Sequence, residues 1–154
     1  MNLIFHEDEL DHPDVVALLD LHVAALRVNS PPEACHVLPA AALKDSASRF
    51  FSARDEDGTL MGFGALKTLR HDHGELKSMR TMPGALGRGV GGALLAHLVE
   101  QARAAGMTRL SLETGSSTAF AAALHLYRRD GFVVCGPFGD YRPTAFTRFF
   151  TRAI

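Results

Sequence analysis

The sequence has few cysteines, no long apolar run and almost no net charge, and each shortage excludes a class of protein. Its two cysteines, Cys35 and Cys135, are far apart and show no Cys/His metal spacing, so we expect neither a disulfide framework nor a metal site. No apolar run approaches the roughly 18 to 20 residues that span a bilayer. The first residues, MNLIFHEDELDHP, are acidic where a signal peptide is basic and then apolar. We therefore expect a cytoplasmic protein without a membrane partner.

The overall composition is that of an ordinary globular protein. Hydrophobic residues make up 47% of the 154 residues and charged residues 21%, which argues against disorder. A formal net charge of −1 provides no general basic field for a polyanion, so we expect no nucleic-acid partner. The length predicts one domain, 1–154.

The residue pattern predicts the element order β-α-(α)-β-β-β-α-β-α-β-β. Three strands precede a glycine-rich segment without intervening helices, which predicts an antiparallel meander, and a strand-helix-strand unit further on predicts a parallel crossover. The fold class is therefore α/β, or α+β, with a mixed sheet flanked by helices. The predicted elements are strand 2–5, helix 13–28 entered at Asp11, a short helix near 40–45, a hairpin over 49–69, strand 74–82, a helix from Val90 to Gly106, strand 108–114, helix 118–130, and strands 131–138 and 145–154.

The segment "GALGRGVGGALL", residues 84–95, contains the pattern G-x-G-x-x-G at Gly87, Gly89 and Gly92. A dinucleotide fingerprint follows the first strand of a repeated βαβ series and is followed by an acidic residue about 20 positions further on. Here the upstream part is a meander, and Glu113 is the only acidic residue at a comparable place. The match to the dinucleotide fingerprint is therefore weak.

A nucleotide triphosphate loop is excluded because Ala93 and Leu94 stand where that motif requires Lys and Ser or Thr. Glycines at a helix N-terminus still allow a diphosphate to approach free N–H groups at the positive end of the helix dipole. The alternative is a glycine-rich turn that only caps a helix.

Two segments, "MRTMPGALGRGVGGALL" and "LYRRDGF", resemble the GNAT superfamily of acetyl-coenzyme A dependent N-acetyltransferases, and the predicted element order agrees with the GNAT fold. The resemblance implies splayed central strands and transfer of an acetyl group to an acceptor amine by direct attack in a ternary complex. Leu86 and Phe120 depart from the usual loop Gln or Arg and the usual helix Asn. Several shorter segments resemble a bacterial branch sometimes labelled indole-3-acetate acetyltransferase-like: "SPPEACH", "GALK", "GELKSMRT", "LSLETGS" and "CGPFGDY".

The resemblance also implies how acetyl-CoA, the cosubstrate, is bound without a metal. The pantetheine arm would run along strand 74–82 like an added strand, with main-chain hydrogen bonds from Met79 and Thr81. The pyrophosphate would be held by the glycine loop, which comprises Gly87, Arg88, Gly89, Val90, Gly91 and Gly92.

Three residues are candidates for the chemistry. Tyr127 resembles the family's general acid for the coenzyme A thiolate, although it could be only a core aromatic. Glu113 and Glu75 are candidate bases, because each would lie on one of the splayed strands. Glu75 is near the start of its strand, where we expect a more solvated position.

Four residues are candidates for acceptor binding. Lys67 lies on the side of its strand that the alternation predicts to be buried. Its amine should therefore either line a cleft, or reach solvent while the aliphatic part of the side chain packs against the protein. Lys77 and Arg80 follow on the next strand, where their spacing predicts opposite faces. His36 lies in the proline-rich loop that covers the acceptor in the family. A cationic site would favour an acceptor that carries a carboxylate, such as an amino acid. The expected partner is therefore a small-molecule amine or an amino-acid-like acceptor.

Two other functions compete with the acetyltransferase. The altered Leu86 and Phe120 allow an acyl-CoA binding or sensing module without turnover, and G-x-G-x-x-G alone allows a dinucleotide oxidoreductase. A covalent route through Cys135 lacks a base in the sequence. The acceptor's identity is left open, as is assembly into a homodimer, which is common in the family.

Overall fold

The structure, a computed structural model, describes residues 2–36, 43–45 and 47–154. The predicted order of strands and helices is confirmed, apart from the short helix near 40–45, most of which lies outside the described residues. The elements are β1 (Ile4–Glu7), α1 (Pro13–Asn29), β2 (Ser48–Arg54), β3 (Leu60–Arg70), β4 (His73–Thr81), α2 (Val90–Ala104), β5 (Arg109–Gly115), α3 (Ala121–Arg129), β6 (Val133–Cys135) and β7 (Thr147–Ala153).

The seven described strands form one mixed sheet in the order β1-β2-β3-β4-β5-β7-β6. Strands β1 to β4 form the expected antiparallel meander, and β4 pairs with β5 in parallel. The C-terminal strand β7 lies between β5 and the short edge strand β6, antiparallel to both. The predicted mixed sheet is confirmed.

The parallel ladder between β4 and β5 is short. Its three residue pairs are His73–Arg109, Gly74–Leu110 and Glu75–Ser111, although β4 continues to Thr81 and β5 to Gly115. Beyond Glu75 the two strands therefore separate, as the resemblance implied. Their facing main-chain edges are unpaired with each other from that point.

A β-bulge in β4 changes which side chains share a face. Lys77 pairs with Ala65 and Arg80 with Phe63, so two residues of β4 oppose the single residue between Ala65 and Phe63. Ser78 in this bulge has a φ of 54°. Lys77 and Arg80 consequently lie on the same face, and the prediction of opposite faces was wrong because strict alternation omits the inserted residue.

Helices α1 and α2 cover opposite faces of the sheet. Apolar residues of α2, among them Leu95 and Leu98, pack with Leu66 and Leu76 of β3 and β4. Alternate residues of β3 instead pack with α1, in a second cluster that contains Val15, Leu18, Leu19, Phe50, Phe63 and Ala65. The face under α1 is the one that carries Lys67, Glu75 and Lys77, by register with Ala65.

The start of α1 differs from the prediction. The residue before the helix is His12, no side chain caps the first turn, and Pro13 occupies the first helical position. Asp11 instead accepts a hydrogen bond from Lys44 Nζ at 2.6 Å.

Within the described residues, no helix is both long enough and apolar enough to cross a bilayer.

Candidate active site

The separation of β4 and β5 opens a cleft in the middle of the sheet. Its walls are the two strands, helices α1 and α3, and the loop that follows α1. Three side chains predicted for the chemistry, Tyr127, Glu113 and Glu75, all line this cleft. The structure thus brings together residues that are up to 52 positions apart in the sequence.

Tyr127 is both a core residue and a cleft residue. It is 7% exposed and packs edge-on against Phe132, with ring centroids 5.9 Å apart. Burial raises the pKa of its phenol to about 12, so the proton is retained at neutral pH. No described residue forms a hydrogen bond with its hydroxyl group, which leaves that donor available to a ligand in the cleft.

Glu113 forms a close pair with His36. The distance from His36 Nδ1 to Glu113 Oε2 is 2.7 Å, and both side chains are only partly exposed. Burial raises the pKa of Glu113 above its usual range, although the hydrogen bond and charge of His36 oppose that shift. The pair therefore joins a proline-loop residue to the end of β5, on the cleft side.

Glu75 is buried and fully engaged, so the expectation of a solvated position was wrong. Its exposure is 3%. Tyr141 Oη donates to Glu75 Oε2 at 2.5 Å, and Lys77 Nζ donates to the same oxygen at 3.2 Å and to Tyr141 Oη at 2.7 Å. These two donors compensate the carboxylate, which is why the carboxylate can lie inside the protein.

Tyr141 is the site residue that the sequence reasoning missed. Its ring packs against His36, Phe138 and Phe149, with centroid distances of 5.1, 5.3 and 5.8 Å. Burial, and then the neighbouring charge of Glu75, raise the pKa of its phenol. The available signal was composition, because the sequence contains only two tyrosines and the other one is Tyr127.

A second cavity adjoins the cleft and shares His36, Glu75 and Lys77 with it. Lys67 also lines this second cavity, opposite Glu75 in the β3–β4 register. Arg80 lies further along β4, beside Phe63, and lines neither cavity. Three of the four residues predicted for acceptor binding are therefore brought together.

The glycine loop has the geometry expected of an anion site. Gly87 and Gly89 have φ values of 74° and 83°, in the left-handed region that favours glycine. No side chain caps α2, and its first helical hydrogen bond runs from Ala93 N to Gly89 O. The N–H groups at the first three helical positions, Val90 to Gly92, have no partner within the helix.

The loop adjoins both the separated strand and α3. A methyl group added at Gly91 would lie 3.3 Å from Leu126 Cδ2 and 3.8 Å from Thr81 Oγ1. The N-terminus of α2 therefore lies beside the C-terminal end of β4, which is the part of β4 that is not paired with β5. Leu86 is 66% exposed, so its difference from the family pattern changes a surface side chain.

Phe120 forms an aromatic wall of the cleft with Phe146, with ring centroids 5.7 Å apart. The two rings cover Gly115, where an added Cβ would lie 2.5 Å from Phe146 and 2.6 Å from Phe120. A larger residue at this position would therefore displace one of the two rings. Among all the described residues, no group of three or more His, Cys, Asp or Glu side chains is arranged to hold a metal ion.

The parallel strands β4 and β5 separate beside an uncapped, glycine-rich helix start, which is the arrangement that the resemblance implied for an acetyl-coenzyme A binding fold. The model of the Acetyltransferase (GNAT) family matches residues 15–132, and the chain belongs to this family. Its activity is acetyl-CoA-dependent N-acetylation.

Known relatives cover nearly the whole chain. The Escherichia coli (strain K12) protein named "Uncharacterized N-acetyltransferase YedL" is 44% identical over 92% of this chain and 89% of its own length. The "IAA acetyltransferase" of Azospirillum brasilense is 38% identical over 80% of each chain. A solved GNAT family acetyltransferase from Elizabethkingia anophelis, with acetyl-CoA bound, shares the fold with a TM-score of 0.73, 17% identity and 99% coverage of both chains.

Proposed function

We propose that the enzyme transfers the acetyl group of acetyl-CoA directly to the amine of a small-molecule acceptor, in a ternary complex within the cleft. The observation that carries this proposal is the early end of the β4–β5 ladder at Glu75. It leaves a strand edge free for the pantetheine arm, with the candidate acid and base facing the same opening.

Acetyl-CoA would occupy the cleft as an added strand. Main-chain groups of Met79 and Thr81 would pair with the pantetheine amides, and the free N–H groups at the start of α2 would hold the pyrophosphate. A solved GNAT family acetyltransferase of the same fold has acetyl-CoA bound, which supports acetyl-CoA as the cosubstrate. The pyrophosphate contacts are assigned to Gly87, Arg88, Gly89, Val90, Gly91 and Gly92.

The base is assigned to the pair of Glu113 and His36. A carboxylate 2.7 Å from Nδ1 keeps the proton of neutral imidazole on that nitrogen, which leaves Nε2 to accept a proton from the amine. Glu75 is less suited as a base, since Tyr141 and Lys77 already donate to one of its oxygens.

The acid is assigned to Tyr127, whose hydroxyl group has no described partner. The amine nitrogen attacks the thioester carbonyl carbon, the carbon–sulfur bond breaks, and the Tyr127 proton passes to the departing thiolate. His36 receives the proton lost by the amine. Proton exchange with solvent then restores both side chains. No acyl-enzyme is formed, because the amine attacks the thioester directly.

Calorimetric titration with acetyl-CoA, coenzyme A and NAD in parallel tests cofactor use, and thiol release with a panel of amines tests turnover. We expect both coenzyme A compounds to bind, NAD not to bind, and thiol to be released with at least one amine. Binding without thiol release would instead identify a sensing module. NAD binding alone, or no binding, would overturn the proposal.

A further inference from the structure

Four charged side chains line the second cavity without an ion pair. Glu33 and Asp140 are the acidic pair, and Lys67 and Arg142 are the basic pair. None of them lies within 4.0 Å of an opposite charge among the described residues. Glu33, Asp140 and Arg142 are exposed and Lys67 is partly buried, so all four charges are accessible to a ligand in this cavity. By contrast, Lys77 in the same wall is matched by Glu75.

The basic pair lines the second cavity, and Lys67 lies beside Glu75, a residue of the wall that the two cavities share. Lys67 pairs with Glu75 across β3 and β4, and directly opposed residues of antiparallel strands have Cα atoms only about 4.5 to 5.5 Å apart. Arg142 follows Tyr141, whose hydroxyl group bonds to Glu75. An anionic group held by this pair would therefore lie next to the wall that the two cavities share.

The amine end of a ligand has a matching position. His36 lines both cavities and is held by Glu113, so it stands between the acceptor space and the cleft. Glu33 and Asp140 would favour an amine that arrives as a cation. The ammonium group then releases one proton to solvent, and the neutral amine loses its second proton to His36 as it attacks.

We infer that the acceptor is a zwitterion: an amine that also carries a carboxylate, as an amino acid does. Its carboxylate binds Lys67 and Arg142, and its amine points to His36. This inference rests on the proposed function and specifies the acceptor class for the same site.

The test compares amino acids with their primary amides and with the amines that lack the carboxylate. Thiol release gives kcat/KM for each, and calorimetry on the coenzyme A-bound protein gives binding separately from turnover. A charge-assisted hydrogen bond lost to a carboxylate corresponds to about a tenfold or larger change. We therefore expect kcat/KM of the unaltered enzyme to be at least about tenfold higher for the acid than for its amide.

Lys67→Met and Arg142→Met should each lower kcat/KM for the acid more than for its amide, chiefly through KM, while the KM for acetyl-CoA stays the same. Arg70→Met is the matched control, because Arg70 is on the same strand as Lys67 but lines neither cavity. Equal use of acid and amide by the unaltered enzyme would overturn the inference and leave the proposed acetyl transfer intact. Acid-selective binding that depends on Lys67, without thiol release, would support the inference and contradict the proposed function.

Discussion

Two carboxylates on one face of the sheet, the buried Glu75 and the partly buried Glu113, have different hydrogen-bond partners and therefore different roles. Glu75 lies between a lysine and a phenol that both donate to it. Glu113 has one imidazole as a partner, and burial raises its pKa. A carboxylate with a raised pKa and a titratable partner is suited to proton transfer, whereas one compensated by two donors is suited to fixing the geometry around it.

Replacing Tyr127 with Phe tests the acid directly. The hydroxyl group has no described partner, so the Tyr127→Phe protein should fold with unchanged stability. Loss of a general acid should lower kcat by about a hundredfold or more, with the affinity for acetyl-CoA preserved. Steady-state thiol release and calorimetry on the same preparation measure both quantities. An unchanged kcat would return Tyr127 to a purely structural role.

His22 predicts a pH dependence of stability. It is 5% exposed, its Nδ1 has no partner among the described residues, and burial lowers its pKa to about 4. The unfolded chain therefore binds this proton below about pH 6.5, and the folded protein only below about pH 4. Between these values the unfolded state binds more protons, so the free energy of unfolding should fall by up to about 3 kcal/mol as the pH decreases.

Urea unfolding at pH 7.5 and 4.5 measures this loss, and His22→Leu should reduce it because leucine does not titrate. Burial also lowers the pKa of His73 and His97, so a smaller loss should remain. His125→Gln, at an exposed position of α3, is the control and should keep the loss. The same loss in His22→Leu would show that other groups cause the acid sensitivity.

At the residue scale, the sequence allowed some site members to be predicted and not others. Tyr127 and Glu113 each belong to a local pattern, a helix motif and a strand end, and the structure places both in the cleft. Tyr141 belongs to no local pattern. It reaches the site through contacts with Glu75 and Lys77, which are 66 and 64 positions away in the sequence, and such contacts are not encoded in a short window.

Among the elements, the glycine loop offers a matched pair of substitutions. Gly89 has a φ of 83° and Gly84 does not lie in the left-handed region, while neither position has an atom within 4 Å of an added Cβ. Gly89→Ala should therefore cost about 1 to 2 kcal/mol of stability and weaken acetyl-CoA binding, because a side chain disfavours the left-handed backbone. Gly84→Ala should change neither quantity. Thermal unfolding and calorimetry would show this difference, and equal effects of the two substitutions would contradict it.

The elements themselves were largely predictable, because apolar periodicity and glycine positions reflect local backbone preferences. The exception was β4, where the bulge at Ser78 shifts the alternation by one residue. No residue of "GELKSMRTM" marks that insertion, since serine is not a residue that favours a positive φ. The face of the sheet on which Arg80 lies could therefore be determined only from the pairing of β4 with β3 in the structure.

For the whole molecule, the separated strands predict a ligand-dependent pattern of hydrogen exchange. Acetyl-CoA should protect main-chain amides of β4 beyond Glu75, since the pantetheine arm would then take the place of the missing strand. Amides of the β2–β3 ladder, which is already paired, should not change. Exchange measured with and without acetyl-CoA checks this, and protection confined to the glycine loop would contradict binding along the strand.

The same opening has a consequence for solubility during the enzyme's working cycle. Unpaired strand edges are sites where sheets of different molecules join and aggregate. In this fold the unpaired edges of β4 and β5 lie in the middle of the sheet, within a cleft that α1 and α3 flank. A flexible coenzyme arm can enter between these walls, whereas the strand of another folded molecule brings neighbouring strands that do not fit. The unpaired edges of β4 and β5 can thus be vacated by the coenzyme in every cycle without becoming available to the sheet of another molecule.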